Sequence, residues 1–466
     1  MSAIAWSRAA RLLVALTTAL ALLVPAVPAR AATISFAGAS AKSVFNQDVD
    51  FSIRLTTDVA PARVEIEIEM PGDVGPYVAT LANTPRAGTT TLHYLLDTLG
   101  SGHLMPNTPI TATWVAYPQG GAAPVSSSPS SYRYGDETQS WRSLRDGIVT
   151  VHWTQGSSSF AQHAADVAVQ AITTDAALLG VQETTPVDFF IYADDASFRA
   201  ALGPGTRENV GGEAVTQIRT LFAEFTPDML NNAWVGITIT HELTHQVVDD
   251  VTSNPYRSLP RWLNEGFAVY QSEGNTSSYR SQVSAAVSSG DLLPLTALGW
   301  QFPTDPTKTV LAYAESVSAV DYLVRQFGKA ALVKLILAYR DGPTDDQAMT
   351  AAVGEGLAAF QAAWYASIGA SAPSPFGPQP APSGPLPSDW TAAGAASPAP
   401  ASPGAPSAST AGSGGPTGAP SSTATQPAGQ GSGSSDALAL VLVAVVLVAA
   451  VVLVGILLAN RRTESP

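Results

Sequence analysis

The sequence predicts an α+β architecture: an N-terminal antiparallel β-sandwich, a second domain made of a small sheet plus a helical lobe, a disordered stalk, and a single C-terminal transmembrane helix. Three changes of texture predict it. Short runs that alternate apolar and polar residues fill 33–135, separated by Pro/Gly/Asn-rich turns. From Trp141 the runs lengthen, and beyond Asn232 the spacing is helical almost to Ile368. The remainder is a tract of Pro, Ala, Ser, Gly and Thr ahead of a long uncharged apolar run.

Residues 1–31 carry Arg8 and Arg11, an apolar run over 12–24, and Ala29-Arg30-Ala31. A basic start, a short apolar centre and a small-residue site read as a secretory signal peptide cut before Ala32. Residues 32–138 form the expected β-sandwich, with strands near 49–55, 62–69, 89–95 and 110–117. Within the second of these, Arg63, Glu65, Glu67 and Glu69 alternate with Val64, Ile66 and Ile68, the pattern of a half-buried strand with one wet face. In 139–370, residues 147–153 and 187–192 read as strands, 157–179 as an alanine-rich helix, and 213–225 as further strand. Residues 371–435 contain Asp389 as their one charge and too little apolar surface to fold, so they are expected to be a stalk. The membrane helix is expected over 436–460, where the uncharged run 437–459 reaches roughly 34 Å at helical rise, enough to cross a bilayer. Arg461 and Arg462 open a short tail, 461–466, expected on the cytoplasmic side. Everything before the helix is then extracytoplasmic.

Composition excludes several chemistries. There is no cysteine, which rules out thiol nucleophiles, thiolate metal sites and disulfides. The formal charge is -14, with 37 acidic against 23 basic residues and no basic stripe, so nucleic acid is not an expected partner.

Chemistry concentrates in Ile239-Thr240-His241-Glu242-Leu243-Thr244-His245-Gln246. On a helix, positions i and i+4 lie about 40° apart around the axis and roughly 6 Å along it, so both imidazoles leave one face and can hold a single Zn²⁺. Glu242 follows the first of them and falls where a general base is needed. A catalytic zinc usually takes three protein ligands. A third histidine at 251 would follow a glycine at 248, but those positions are Val251 and Val248. Glu265 is the better donor: it sits among Trp262, Leu263, Phe267 and Ala268, and a carboxylate in such company needs a cation. The four remaining histidines, His93, His103, His152 and His163, are scattered. Asp249-Asp250 reads as a charged helix end.

His-Glu-Leu-Thr-His followed by Trp262-Leu263-Asn264-Glu265-Gly266-Phe267-Ala268 resembles the gluzincins, the Glu-ligand zinc peptidases of the peptidase MA superfamily, and the second block is similar to that of the aminopeptidase N family. The resemblance implies a gluzincin-like metallopeptidase domain with one Zn²⁺ on His241, His245 and Glu265, and Glu242 as catalytic base. It also implies a tyrosine that hydrogen-bonds the oxyanion; in Leu311-Ala312-Tyr313-Ala314-Glu315-Ser316 that residue is Tyr313. Relatives that bind a free amine carry Gly-x-Met-Glu-Asn, whereas this chain has Gly211-Gly212-Glu213-Ala214. The layout looks like that of bacterial peptidase MA-like membrane proteins. The implied activity is a membrane-anchored zinc metallohydrolase acting on a peptide or protein. The rival is a non-catalytic surface binding or scaffold protein that keeps the fold, and the retained Glu242 speaks against it.

Overall fold

The computed structural model describes residues 33–100, 103–203, 211–229 and 231–371. The expected signal peptide, membrane helix and cytoplasmic tail lie outside these residues, as does the stalk beyond Ser371. Among the described residues no helix is long and apolar enough to cross a membrane. The chain divides into two compact units, one running to residue 101 and including Pro106–Asp136, the other comprising Gly102–Met105 and the chain from Glu137 on.

The first unit is built of antiparallel strands. One sheet has the order β1 (Ile34–Val44), β2 (Asp48–Thr57), β5 (Gly88–Asp97). The other runs β4 (Tyr77–Thr80), β3 (Arg63–Glu69), β6 (Pro109–Tyr117), β7 (Val125–Ser126), with β8 (Ser130–Arg133) also paired to β6. Alternation decides which face is buried. Val49, Phe51, Ile53 and Leu55 of β2 point inward, as do Val64, Ile66 and Ile68 of β3. The Tyr132 ring of β8 meets Phe51 of β2 edge-on at 6.5 Å, so side chains of the two sheets share one core.

The second unit holds a mixed five-stranded sheet of order β12 (Gly212–Val215), β13 (Thr220–Glu224), β11 (Val187–Tyr192), β10 (Val149–Trp153), β9 (Arg142–Asp146). The inner pairs β10/β11 and β11/β13 are parallel, and both edge strands are antiparallel to their neighbours. One face packs on α1 (Ser158–Leu179), whose Ala161, Ala164, Ala165 and Ala168 allow close approach. Gly180 ends this helix in the left-handed region at φ 69°. The other face gathers Phe190, Tyr192 and Phe222 against Phe198 of α2 (Asp195–Leu202), a short helix capped by Asp194.

The helical lobe follows as α3 (Ala233–Thr252), α4 (Arg261–Ser272), α5 (Ser277–Ser289), α6 (Pro306–Phe327), α7 (Lys329–Ala338), α8 (Asp345–Val353) and α9 (Leu357–Ser367). The Asn232 side chain caps α3 by accepting from Trp234 N at 3.0 Å. Val, Ile and Thr are mediocre helix formers, yet Val235, Ile239, Leu243, Val247 and Val251 repeat every fourth residue and are all buried. At roughly 1.5–3 kcal/mol for each large buried side chain, that stripe outweighs the propensity cost. Pro306 at the start of α6 follows its cap Asp305. Helices α4 and α6 cross tightly at Gly266, where a Cβ would lie 2.5 Å from the Ser316 carbonyl oxygen.

Candidate metal centre

The i,i+4 spacing on α3 does what helix geometry requires. The His241 and His245 rings stand at 87° with centroids 4.8 Å apart, and their Nε2 atoms approach to 3.1 Å. Helix α4 begins after Pro260, and one turn later Glu265 faces them. Its Oε2 lies 3.4 Å from His241 Nε2 and 3.5 Å from His245 Nε2. These three residues form one candidate metal-holding group, with all ligating atoms within 4.8 Å of one another. A tetrahedral zinc with bonds of about 2.0–2.1 Å has ligand–ligand edges of roughly 3.3–3.4 Å. The three observed edges bracket that value, so the residues fit the ion.

Buried atoms without partners point the same way. Glu265 Oε2, Glu242 Oε1 and the Tyr313 hydroxyl are all buried with no hydrogen-bond partner among the described residues. A buried oxygen left so costs a few kcal/mol unless something satisfies it. The second oxygen of Glu242 accepts from Ala214 N at 3.0 Å, on edge strand β12. That contact depends on the two glycines before it. A Cβ on Gly211 would overlap the Trp234 ring at 2.1 Å, and one on Gly212 would meet Thr238 at 2.7 Å and Glu242 Cγ at 3.4 Å.

Without a cation the electrostatics are polarised. Burial lowers the His241 pKa. Burial also opposes charge on His245, but the Glu265 carboxylate outweighs it and raises the imidazole to about 9. Burial would raise Glu265, but the His245 charge and the closeness of both imidazoles hold it well below the usual carboxylate range. Burial pushes Glu242 up to about 8, and nearby Glu265 and Glu213 add to the rise. Tyr313 is raised well above the phenol range by burial and then by Glu265.

Several supporting residues escape the sequence reading. Asn264 Oδ1 lies 3.1 Å from His245 Nδ1. An amide oxygen can only accept, so Nδ1 carries a proton, and Nε2, which faces the centre, offers its lone pair to a cation once it gives up its own proton. Asp250, at the charged end of α3, instead bonds Arg219. Asp175 of α1 accepts from Thr244 at 2.7 Å and from Gln271, tying α3 and α4 to one buried carboxylate. Burial raises its pKa. The remaining histidines stay apart from the centre: His152, for one, bonds Asp188 at 2.9 Å.

A cavity of about 430 Å³ opens onto the centre, lined by Glu213, Glu242, His245, Arg261 and Glu265, with the largely exposed Trp300 also on its wall.

The sequence profile of the Peptidase MA superfamily matches residues 167–370, a span that contains both helices of the centre. Over this stretch the chain is similar to the Peptidase MA superfamily. No curated protein sequence matches the chain. Among solved structures, the chain is similar to an M1 zinc metallopeptidase from Deinococcus radiodurans, with 11% identity, 72% of this chain and 92% of that one covered, and a TM-score of 0.36. An aminopeptidase N family protein from Idiomarina loihiensis is similar at 10% identity, with 66% and 70% covered and a TM-score of 0.32. Within the matched stretch, the residues brought together are the ones the two sequence blocks nominate, His241, His245 and Glu265, with Glu242 beside them.

Proposed function

We propose that this chain is a zinc-dependent metallohydrolase that cleaves peptide bonds with one Zn²⁺. On this reading it is exported and held at the outer face of a cell membrane by the apolar segment 436–460. One observation carries the catalytic reading: three ligating atoms converge at the edge lengths of a tetrahedron beside a carboxylate with a free buried oxygen. Placement outside the cytoplasm is supported by the two apolar segments of the sequence and by Arg461-Arg462.

His241, His245 and Glu265 would hold the ion. Bound there, zinc supplies Lewis-acid activation of a water and of the substrate carbonyl. Glu242 is the general base. The Ala214 amide fixes its Oε2, which leaves Oε1 to take the proton of the attacking water and pass it to the leaving amine. Tyr313 donates its hydroxyl proton in a hydrogen bond to the oxyanion; its raised pKa keeps it a donor. Strand β12, at the sheet edge, offers backbone groups to an extended peptide.

The test is a Glu242→Gln protein. It is expected to bind one zinc per chain, as wild type does, and to lose turnover by at least about 10²–10⁴-fold. A variant that cleaves peptides as fast as wild type sinks the base assignment. A zinc-loaded wild type that cleaves nothing in a broad peptide library favours a binding protein instead.

A further inference from the structure

We propose that Arg261 reads a carboxylate of the substrate next to the scissile bond, so that the enzyme prefers peptides with an acidic side chain or a free C-terminus at that place. This rests on the zinc-peptidase reading and adds a substrate class to it.

Arg261 opens helix α4, one turn before Glu265. Its backbone is fixed by a hydrogen bond from Arg261 N to Gly299 O at 2.8 Å, and the next amide, Trp262 N, is bound to Leu298 O at 2.9 Å. The side chain is 12% exposed and lines the same cavity as Glu242 and His245. Its guanidinium carbon lies 5.1 Å from the centre of the Phe302 ring, which holds it from one side. Nη2 stands 3.3 Å from Glu265 Oε1, the oxygen turned away from the two imidazoles.

A guanidinium has five N–H donors in a fork that matches a carboxylate. Here, among the described residues, none of the five makes a hydrogen bond, and Nε is buried without a partner. A single ion-pair contact therefore leaves most of the fork unused. The neighbouring cation on the same wall differs: Arg257 is already paired with Asp345 at 3.0 Å.

The acids around the cavity do not forbid an anion. Glu265 faces the imidazoles, and Asp345 is held by Arg257 and by the Tyr339 hydroxyl at 2.8 Å. Glu242 accepts from Ala214, and Asp249 accepts from the Thr216 side chain. Glu213 is raised to about 7 by burial alone. Arg261 is thus the cavity cation with donors to offer, and it sits one turn from a ligand of the reacting centre.

The test compares kcat/KM of zinc-loaded, full-length protein on matched peptides. One arm sets Asp against Asn and Glu against Gln on either side of the scissile bond; the other sets free C-termini against amidated ones. The wild type is expected to favour the carboxylate by about 10- to 100-fold in one arm, which also identifies its source. Arg261→Gln is expected to bring that ratio to about one with bound zinc unchanged. Arg261→Lys, which keeps a charge beside Glu265, is expected to retain part of the preference. If acid and amide peptides lose rate equally in both variants, Arg261 only positions Glu265 and the inference falls. A wild type that cleaves acids and amides alike, or prefers basic peptides, overturns this inference alone. One that cleaves none of the peptides overturns the peptidase reading together with it.

Discussion

On β3, Arg63, Glu65, Glu67 and Glu69 alternate with Val64, Ile66 and Ile68, and only the apolar three are buried. On α3 and α4 the order is reversed: His241, Glu242 and Glu265 are buried along with the apolar residues around them. Both segments look alike as strings of charged and apolar residues. They differ in period. Period two sends every charge on β3 toward solvent, where the Arg63–Glu65 pair at 2.7 Å is an exposed contact of little energetic consequence. Helical spacing brings His241, Glu242 and Glu265 to the inside, where an ion without a partner costs several kcal/mol. The comparison teaches that a charge in a sequence is informative only once its face is known, and that the buried ones then demand a partner.

The sharpest way to break that contrast is to remove the charge that the cation needs. Glu265→Ala is expected to reduce bound zinc from one per chain to near zero and to abolish peptide cleavage. It should also cancel the rise in thermal stability that zinc gives the wild type, of order 4 kcal/mol when the ion is present at a thousand times its Kd. The matched change on β3, Glu67→Gln, is expected to move stability by no more than about 0.5 kcal/mol. Metal analysis and thermal melts with and without zinc read both. If Glu265→Ala keeps its zinc, the buried carboxylate is not a ligand and the contrast between the two segments fails.

How much of this was legible beforehand follows the same division. Alternation revealed β2, β3, β5 and β6, because each has one face in a core. Strand β9 is not legible: Arg142-Ser143-Leu144-Arg145-Asp146 is an edge strand with little apolar content and no alternation to find. Helix α2, only eight residues long, is too short to show a helical period. At the centre, the two histidines and Glu265 stood out because a spacing and an apolar neighbourhood betray them. Asn264 and Arg261 did not, since a polar residue beside a ligand looks like any surface residue until the helix is turned to face its partner. Gly266 was legible only as part of a motif; its physical reason, the Ser316 carbonyl of α6, lies fifty residues away. The expected signal peptide and membrane helix fall outside the described residues.

A smaller effect is expected at Tyr313, which sharpens the contrast between a buried polar atom that serves chemistry and one that serves packing. Its hydroxyl has no partner among the described residues, while its ring meets Phe302 edge-on at 5.1 Å. Tyr313→Phe keeps the ring contact. It is expected to lower kcat about 10²- to 10³-fold, to leave zinc content unchanged, and to hold or raise stability by about 1 kcal/mol because an unpaired buried hydroxyl is removed. Unchanged turnover with lower stability would make Tyr313 a packing residue.

A last pair separates two buried carboxylates by their company. Glu315 on α6 is as inaccessible as Glu265, but no cation faces it among the described residues; both its oxygens accept from Leu293 N, at 3.0 and 3.2 Å. Burial raises it to about 8, whereas Glu265 is held low by its imidazoles. Between pH 4.5, the ordinary value, and about 8, the folded protein therefore keeps a proton on Glu315 that the unfolded chain releases. Stability must then fall as pH rises through this window, by up to about 1.4 kcal/mol per unit, and level off above it. Glu315→Gln retains an acceptor for the Leu293 amide and cannot titrate. Its stability relative to wild type is expected to be near zero at pH 4.5 and to increase steadily to pH 8.5, read from urea midpoints at several pH values. Glu213 and Glu242 titrate in the same direction in both proteins, so their contributions cancel in the difference. A difference that stays constant with pH would mean that Glu315 is charged in the fold, and that burial without a cation does not decide the state of a carboxylate here.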